Sequence, residues 1–279
     1  MTQQASTQQA STQQASIRAP LKAADIFNLA GEVALVTGAS SGLGRRFARV
    51  LAANGAHVAL VARRKDRLEN LAREIEAAGG KAFAIEADVG DPAQIARVFD
   101  AAEAQFGTVA ILVNSAGIAR ASRLIDADVA GWRETMEINV EAVRGYAIEA
   151  AQRMVKAGKG GSIVNVASIL SLGVGRFNGA YAVSKAAVLQ LTKVLGFELA
   201  RHGIRVNALA PGYFSTEMNA EWLAGGGADM IKHIPLRRFG QEGELDGALL
   251  LLAAPRANTY ITGHTYPVDG GHTLQIAGV

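Results

Sequence analysis

The chain has 279 residues, 49% of them hydrophobic and 19% charged, with a formal net charge of +3. That composition suits one α/β domain with a sizeable core, and the absence of basic runs interleaved with aromatics argues against a nucleic-acid partner. No cysteine is present, and the five histidines include no pair spaced four apart on a helix, so disulfides, thiolate catalysis and a metal centre are not expected.

No apolar run approaches the roughly 18 residues of a membrane span, and no charged segment followed by an apolar one opens the chain. A cytoplasmic protein without membrane contact is therefore expected. Residues 2–16 are three copies of Thr-Gln-Gln-Ala-Ser. A polar five-residue repeat has no apolar face at period 2 or 3.6, so residues 1–23 are expected to be a disordered tail and linker, and 24–279 a single domain.

Val33–Thr37 is a short apolar run of strand type. It leads into Gly38, Gly42 and Gly44, and then into a helix with Phe47, Val50 and Leu51 spaced for burial. Strand, glycine-rich turn and helix form the dinucleotide arrangement: N–H groups at the helix N-terminus face the pyrophosphate, and glycines let it approach. The spacing here is G-x-x-x-G-x-G. Residues 57–61 form a second strand, followed by Ala62, Arg63, Arg64 and Lys65. An acid at this point would bind the ribose 2′-hydroxyl of NAD, whereas arginine accommodates a 2′-phosphate. No acid precedes Asp66, so NADP is the expected cofactor.

Residues 66–78 read as a helix and 81–86 as a third strand, ending at Asp88 and Val89. A helix follows over 92–106, with Asp91 as N-cap and Pro92 in its first position. The apolar strand 109–113 runs into Asn114-Ser115-Ala116-Gly117, a turn at a carboxyl end, where open α/β sheets bind ligands. One long helix is predicted over 129–156, with Asn139 inside it. The strand 162–167 delivers Ser168, and a glycine-rich apolar loop, 169–179, opens a helix that runs to about 202.

That helix carries Tyr181 and Lys185. Positions four apart share a face, about 5–6 Å apart at Cβ. A nearby ammonium favours phenolate and lowers the phenol's usual pKa of about 10. With a hydroxyl from Ser168 to hold a substrate oxygen, the group is suited to moving a proton on and off a carbonyl or alcohol. Residues 205–210 form the sixth strand, ending in Pro211 and Gly212. Residues 213–240, with Gly225, Gly226 and Gly227 in the middle, read as a substrate lid that offers Met218, Trp222 and Met230 to an apolar ligand. A helix over 242–253 and a strand at Thr265–Val268 complete the chain. Seven strands alternating with six helices predict a single doubly wound Rossmann domain: a seven-stranded parallel sheet with helices on both faces.

These residues resemble the short-chain dehydrogenase/reductase family over nearly the whole domain. Thr37 and the three glycines are similar to its cofactor loop, and residues 114–117 to its N-N-A-G turn, with Ser115 where a second Asn is usual. Asn139, Ser168, Tyr181 and Lys185 fall on its catalytic tetrad. The resemblance implies that Tyr181 is the general acid in reduction and the base in oxidation. Lys185 would lower its pKa and bind the nicotinamide ribose, Ser168 would orient the carbonyl, and Asn139 would hold a water linking Lys185 to solvent. It further implies that NADP is held by Gly38, Ser40, Ser41, Gly42, Leu43, Gly44, Arg63, Arg64, Asp88, Val89, Asn114, Ala116, Gly117, Tyr181, Lys185, Pro211, Gly212, Phe214 and Thr216.

The function expected is NADP(H)-dependent reduction of a ketone or aldehyde, reversible; the resemblance implies a dimer or tetramer that associates through the helices flanking the site and the last strand, and a homotetramer is expected. Walls from 169–177, Tyr213 and Phe214 favour a hydrophobic carbonyl compound. Two other readings stand. One is a 3-oxoacyl-thioester reductase, for which Lys232, Arg237 and Arg238 would meet an acidic acyl carrier. The other is a non-catalytic NADP-sensing protein, which would have no need of the complete tetrad.

Overall fold

A computed structural model describes residues 20–215 and 229–274. The five-residue repeat, Thr216, and the Met218, Trp222 and Gly225–227 part of the expected lid lie outside them. The strands are β1 (Val33–Thr37), β2 (His57–Ala62), β3 (Lys81–Glu86), β4 (Ile111–Asn114), β5 (Gly161–Val166), β6 (Ile204–Pro211) and β7 (Thr265–Val268). They form one parallel sheet in the order β3-β2-β1-β4-β5-β6-β7. After a short α1 (Ala23–Ile26), the helices are α2 (Gly42–Ala53), α3 (Lys65–Ala77), α4 (Ile95–Phe106), α5 (Val129–Met136), α6 (Ala142–Ala157), α7 (Gly179–Leu199) and α8 (Asp246–Ala253).

The central strands are near-continuous apolar runs because both of their faces are covered. Every residue of β1 and β4 is buried. Side chains alternate across the sheet. Ala34 and Val36 therefore join Phe47, Leu51, Leu68 and Leu249 of α2, α3 and α8 on one face. Val33 and Leu35 join Phe99, Tyr146, Met154 and Leu195 of α4, α6 and α7 on the other. The chain leaves β1 toward β2 on one side, and β4 lies on the other. The crevice beyond their carboxyl ends is the ligand position of such sheets.

Two helices differ from expectation. The long helix predicted over 129–156 is interrupted by a π-helical turn, Glu137–Glu141, that holds the fully buried Asn139. The helix expected from 242 begins at Asp246, because its first residues are a turn in which Glu244 takes the N–H of Gln241 and both guanidinium arms of Arg238.

Candidate active site

The glycine loop is folded so tightly that side chains would not fit. Gly38 has φ +70°, and a Cβ there would stand 2.8 Å from Ala116 Cα; on Gly44 it would stand 2.4 Å from the carbonyl oxygen of Gly38. Thr37 Oγ1 accepts the N–H groups of Ser115 (3.1 Å) and Ala116 (3.2 Å), joining the end of β1 to the turn after β4. Both donors are backbone, so a serine at 115 in place of asparagine leaves these bonds intact. Helix α2 starts here with no acid in its first turn, so its exposed N–H groups face the cleft with no carboxylate competing for them.

The cleft above has a volume of about 460 Å³. Its walls come from the glycine loop, residues 62–64, 87–89, 115–118 and 166–168, Ile138, Tyr181, Lys185, Pro211, Gly212 and Phe214. Arg64 lies along the loop, donating to Ser40 Oγ (2.9 Å) and Ser41 Oγ (2.7 Å). Arg63 reaches across to Asp88, at 3.9 Å. Thr216 is outside the described residues, and one of the other expected cofactor residues, Asn114, is turned away from the cleft. Its Nδ2 donates to Asn165 Oδ1 (3.0 Å) and to the carbonyl of Val143 (3.3 Å), so it ties β4 to β5 and α6 and leaves the cleft to its neighbours.

Ser168, two residues beyond β5, accepts the N–H of Leu170 at 3.1 Å and shares the wall of the cleft with Tyr181, whose phenol its hydroxyl favours in the ionised form. Lys185 is buried, donates from Nζ to the carbonyl of Val166 at 2.8 Å, and has Nζ 5.7 Å from the centre of the Tyr181 ring. The structure thus brings the three together as expected, but the electrostatics differ. Burial pushes the Tyr181 phenol above its usual range, against the opposing hydrogen bond from Ser168. Burial also holds Lys185 down to about 8. In this structure desolvation outweighs the ammonium, which points at a backbone carbonyl and not at the phenol oxygen.

Both ends of the Asn139 amide are engaged by the protein. Its Oδ1 accepts the N–H of Ile118 (2.8 Å), and its Nδ2 donates to the carbonyl of Ile118 (2.9 Å) and to Ser184 Oγ (3.0 Å). The side chain therefore clamps the loop that follows Gly117 and is not among the residues that line the cleft. A Cβ on Gly117 would lie 3.2 Å from Asn139 Oδ1 and 3.4 Å from Lys185 Nζ, so all three meet there. Sequence reading missed Val166, Ile118 and Ser184. The first two act through backbone, which leaves no trace in the side chains. Ser184 left one: a hydroxyl inside an apolar helix.

Known proteins resemble this chain along its length. A family model described as Enoyl-(Acyl carrier protein) reductase matches residues 38–273. The galactitol 2-dehydrogenase (L-tagatose-forming) of Cereibacter sphaeroides is 41% identical, covering 89% of this chain and 98% of its own. A 3-oxoacyl-[acyl-carrier-protein] reductase of Synechocystis is 34% identical over 88% of this chain and 98% of its own. The chain belongs to the short-chain dehydrogenase/reductase family. The crystal structure of a gluconate 5-dehydrogenase from Burkholderia cenocepacia, in complex with NADP and tartrate, superposes with a TM-score of 0.87 at 37% identity, covering 91% of this chain and all of that one. This protein is accordingly an NAD(P)-dependent oxidoreductase of that family, acting on CH–OH and carbonyl groups. The residues present fit such a cofactor. A glycine loop packed too closely for a Cβ at Gly38 or Gly44 leads into a helix N-terminus that lines the cleft, and a basic edge stands at Arg63 and Arg64. No helix among the described residues is long and apolar enough to cross a membrane.

Proposed function

We propose that the chain is an NADP(H)-dependent reductase of ketones or aldehydes, reversible as an alcohol dehydrogenase, with Tyr181 as the proton donor. The observation that carries this is the meeting of Ser168, Tyr181 and the buried Lys185 on one wall of the cleft, with Lys185 Nζ 5.7 Å from the centre of the Tyr181 ring. Ser168 holds the carbonyl oxygen beside the phenol, and Tyr181 gives its proton to that oxygen as the carbonyl carbon is reduced. Lys185 supplies positive charge below the ring, favouring the phenolate that remains, and would hold the nicotinamide ribose of a bound cofactor. When bound, the nicotinamide supplies the hydride. NADP is preferred over NAD because residues 62–64 offer two guanidinium groups and no acid.

The substrate we favour is a hydrophobic carbonyl compound. Loops 119–127 and 169–178, which continue the chain from Ile118 and Ser168 of the cleft wall, are joined where Ser122 donates its N–H to the carbonyl of Phe177 at 2.8 Å, and they present Leu124, Ile125, Leu172, Val174 and Phe177 to solvent. A second reading, a polyol or sugar-acid dehydrogenase, is favoured by the activities for which the relatives are named. We further infer a homotetramer: α7 carries exposed Val183, Val194 and Phe197 along one stripe, the form of a face that packs on another chain.

The test has two arms. Apolar ketones and aldehydes, sugar acids, polyols and 3-oxoacyl thioesters are assayed with NADPH and NADH, and apolar carbonyls with NADPH are expected to give the highest kcat/KM. Tyr181→Phe removes one oxygen, so NADPH binding should hold while carbonyl reduction falls by about 10²–10⁴-fold, as for loss of a general acid. Substantial turnover by the Phe variant would sink the mechanism.

A further inference from the structure

Helix α7 carries two fully buried hydroxyls two turns apart, Ser184 and Thr192. Each makes the same pair of bonds. Ser184 Oγ donates to the carbonyl of Tyr181 at 2.7 Å and accepts from Asn139 Nδ2 at 3.0 Å. Thr192 Oγ1 donates to the carbonyl of Val188 at 2.8 Å and accepts from Asn165 Nδ2 at 2.9 Å. A hydroxyl inside a helix often turns back onto its own backbone in this way. Here the proton goes to the helix, and a lone pair takes an amide from outside it.

The two anchors differ in what they hold. Asn165 belongs to β5 and is itself held by Asn114 of β4, so Thr192 fixes α7 to the sheet. Asn139 belongs to the π-helical turn, and its amide also grips both backbone groups of Ile118, which lines the cleft. The carbonyl that Ser184 bonds is that of Tyr181 itself, and the next residue is Lys185. Thr192 lies seven residues beyond that lysine, about 10 Å along the axis.

We propose that Ser184 is a positioning residue for the reaction: its two hydrogen bonds lock the turn of α7 bearing Tyr181 and Lys185 to Asn139, and so set where phenol and ammonium stand relative to the substrate. Without the hydroxyl, an Asn139 N–H has no partner in a region closed to water. The π-helical turn or the helix must then shift to satisfy it. A displacement of about 1 Å at reacting groups can cost on the order of 100-fold in rate. This inference rests on Tyr181 being the proton donor.

Ser184→Ala and Thr192→Val are compared in the full-length protein. Each removes one hydroxyl and the same two bonds from the same helix. Both should lower the melting temperature by similar amounts, and both should bind NADPH as wild type does in a fluorescence titration. Only Ser184→Ala should lose kcat, by about 10- to 100-fold per NADPH-binding site, with KM for NADPH unchanged. Ser184→Cys, with a weaker donor and acceptor, should fall between Ala and wild type; it also serves if the Ala variant does not fold, and wild-type kcat in it would then overturn the proposal. Equal effects of Ser184→Ala and Thr192→Val on kcat would reduce Ser184 to a structural anchor. If Tyr181→Phe is inactive while Ser184→Ala keeps full kcat, this inference alone fails. An active Tyr181→Phe removes both.

Discussion

A buried ammonium sets a pH limit on the site that contains it. Desolvation holds Lys185 down to about 8, whereas the unfolded chain keeps that proton until about 10.5. The Tyr181 phenol is pushed up by burial and stays protonated through the same range. In the reduction direction the limiting loss is therefore the lysine's proton. The rate should be flat below pH 8 and fall above it, with an apparent pKa near 8; a rate undiminished at pH 9 would count against this assignment. The stability effect has the opposite sense. Between about pH 8 and 10.5 the unfolded state binds more protons than the folded one, so this residue's contribution to stability rises with pH. A titration of wild type against Lys185→Met should show that rise in the difference. The arginines separate in a similar way. Arg63 is paired with Asp88 at the edge of the cleft, so Arg63→Ala should weaken NADPH by about 10- to 100-fold, from the loss of charge-assisted bonds worth about 1.5–3 kcal/mol, and leave NADH nearly unchanged. Arg64 braces Ser40 and Ser41, so Arg64→Ala should weaken both cofactors by releasing the loop. Calorimetric titration of each variant with each cofactor checks the pair. The reading of 62–64 placed both arginines at the cleft but could not show this division, which depends on which hydroxyls each guanidinium meets.

At the scale of elements, the central strands were legible because parallel buried strands are continuous apolar runs; β1 has the expected limits, and so do the edge strands β3 and β7, which are only partly buried. Residues where backbone geometry decides were not legible. The π-helical turn is one case: nothing in Glu137-Ile-Asn-Val-Glu141 distinguishes it from ordinary helix, since the extra residue per turn is a hydrogen-bond choice made by Asn139 and its partners. Such turns recur at functional sites. The glycine loop is the opposite case, where geometry demands one residue type and the sequence displays it. Gly44 shows how strict the demand is. A Cβ there meets the backbone carbonyl of Gly38 at 2.4 Å, and a backbone atom cannot swing aside as a side chain can. Gly44→Ala should therefore move α2 away from the loop, lowering affinity for NADPH and NADH alike by at least about tenfold and the melting temperature by several degrees. A variant with wild-type affinity would mean that the start of α2 adapts at no cost.

At the scale of the whole molecule, helix α7 has an apolar stripe that the other described residues leave uncovered. On α7, Val183 and Val194 are each 43% exposed and Phe197 is 86% exposed. Residues 183, 194 and 197 lie within about 60° of one another around a helix of 3.6 residues per turn, while the opposite side buries Val188, Leu189 and Leu195. A helix apolar on both sides is the pattern of an element covered on both sides, and exposed apolar stripes of this kind mark contact surfaces. Because Tyr181 and Lys185 sit on the same helix, a partner packed on its outer stripe would also stiffen the support of the site. Phe197→Glu places a charge where that partner would desolvate it, without touching the sheet, the cleft or either buried hydroxyl. By size-exclusion chromatography with light scattering, wild type should run as a tetramer and Phe197→Glu as a smaller species. NADPH binding per chain should be retained, while melting temperature and turnover both fall, because α7 loses its outer support. A Phe197→Glu protein that remains a tetramer with wild-type melting temperature would show that the subunits meet elsewhere and that this stripe faces water.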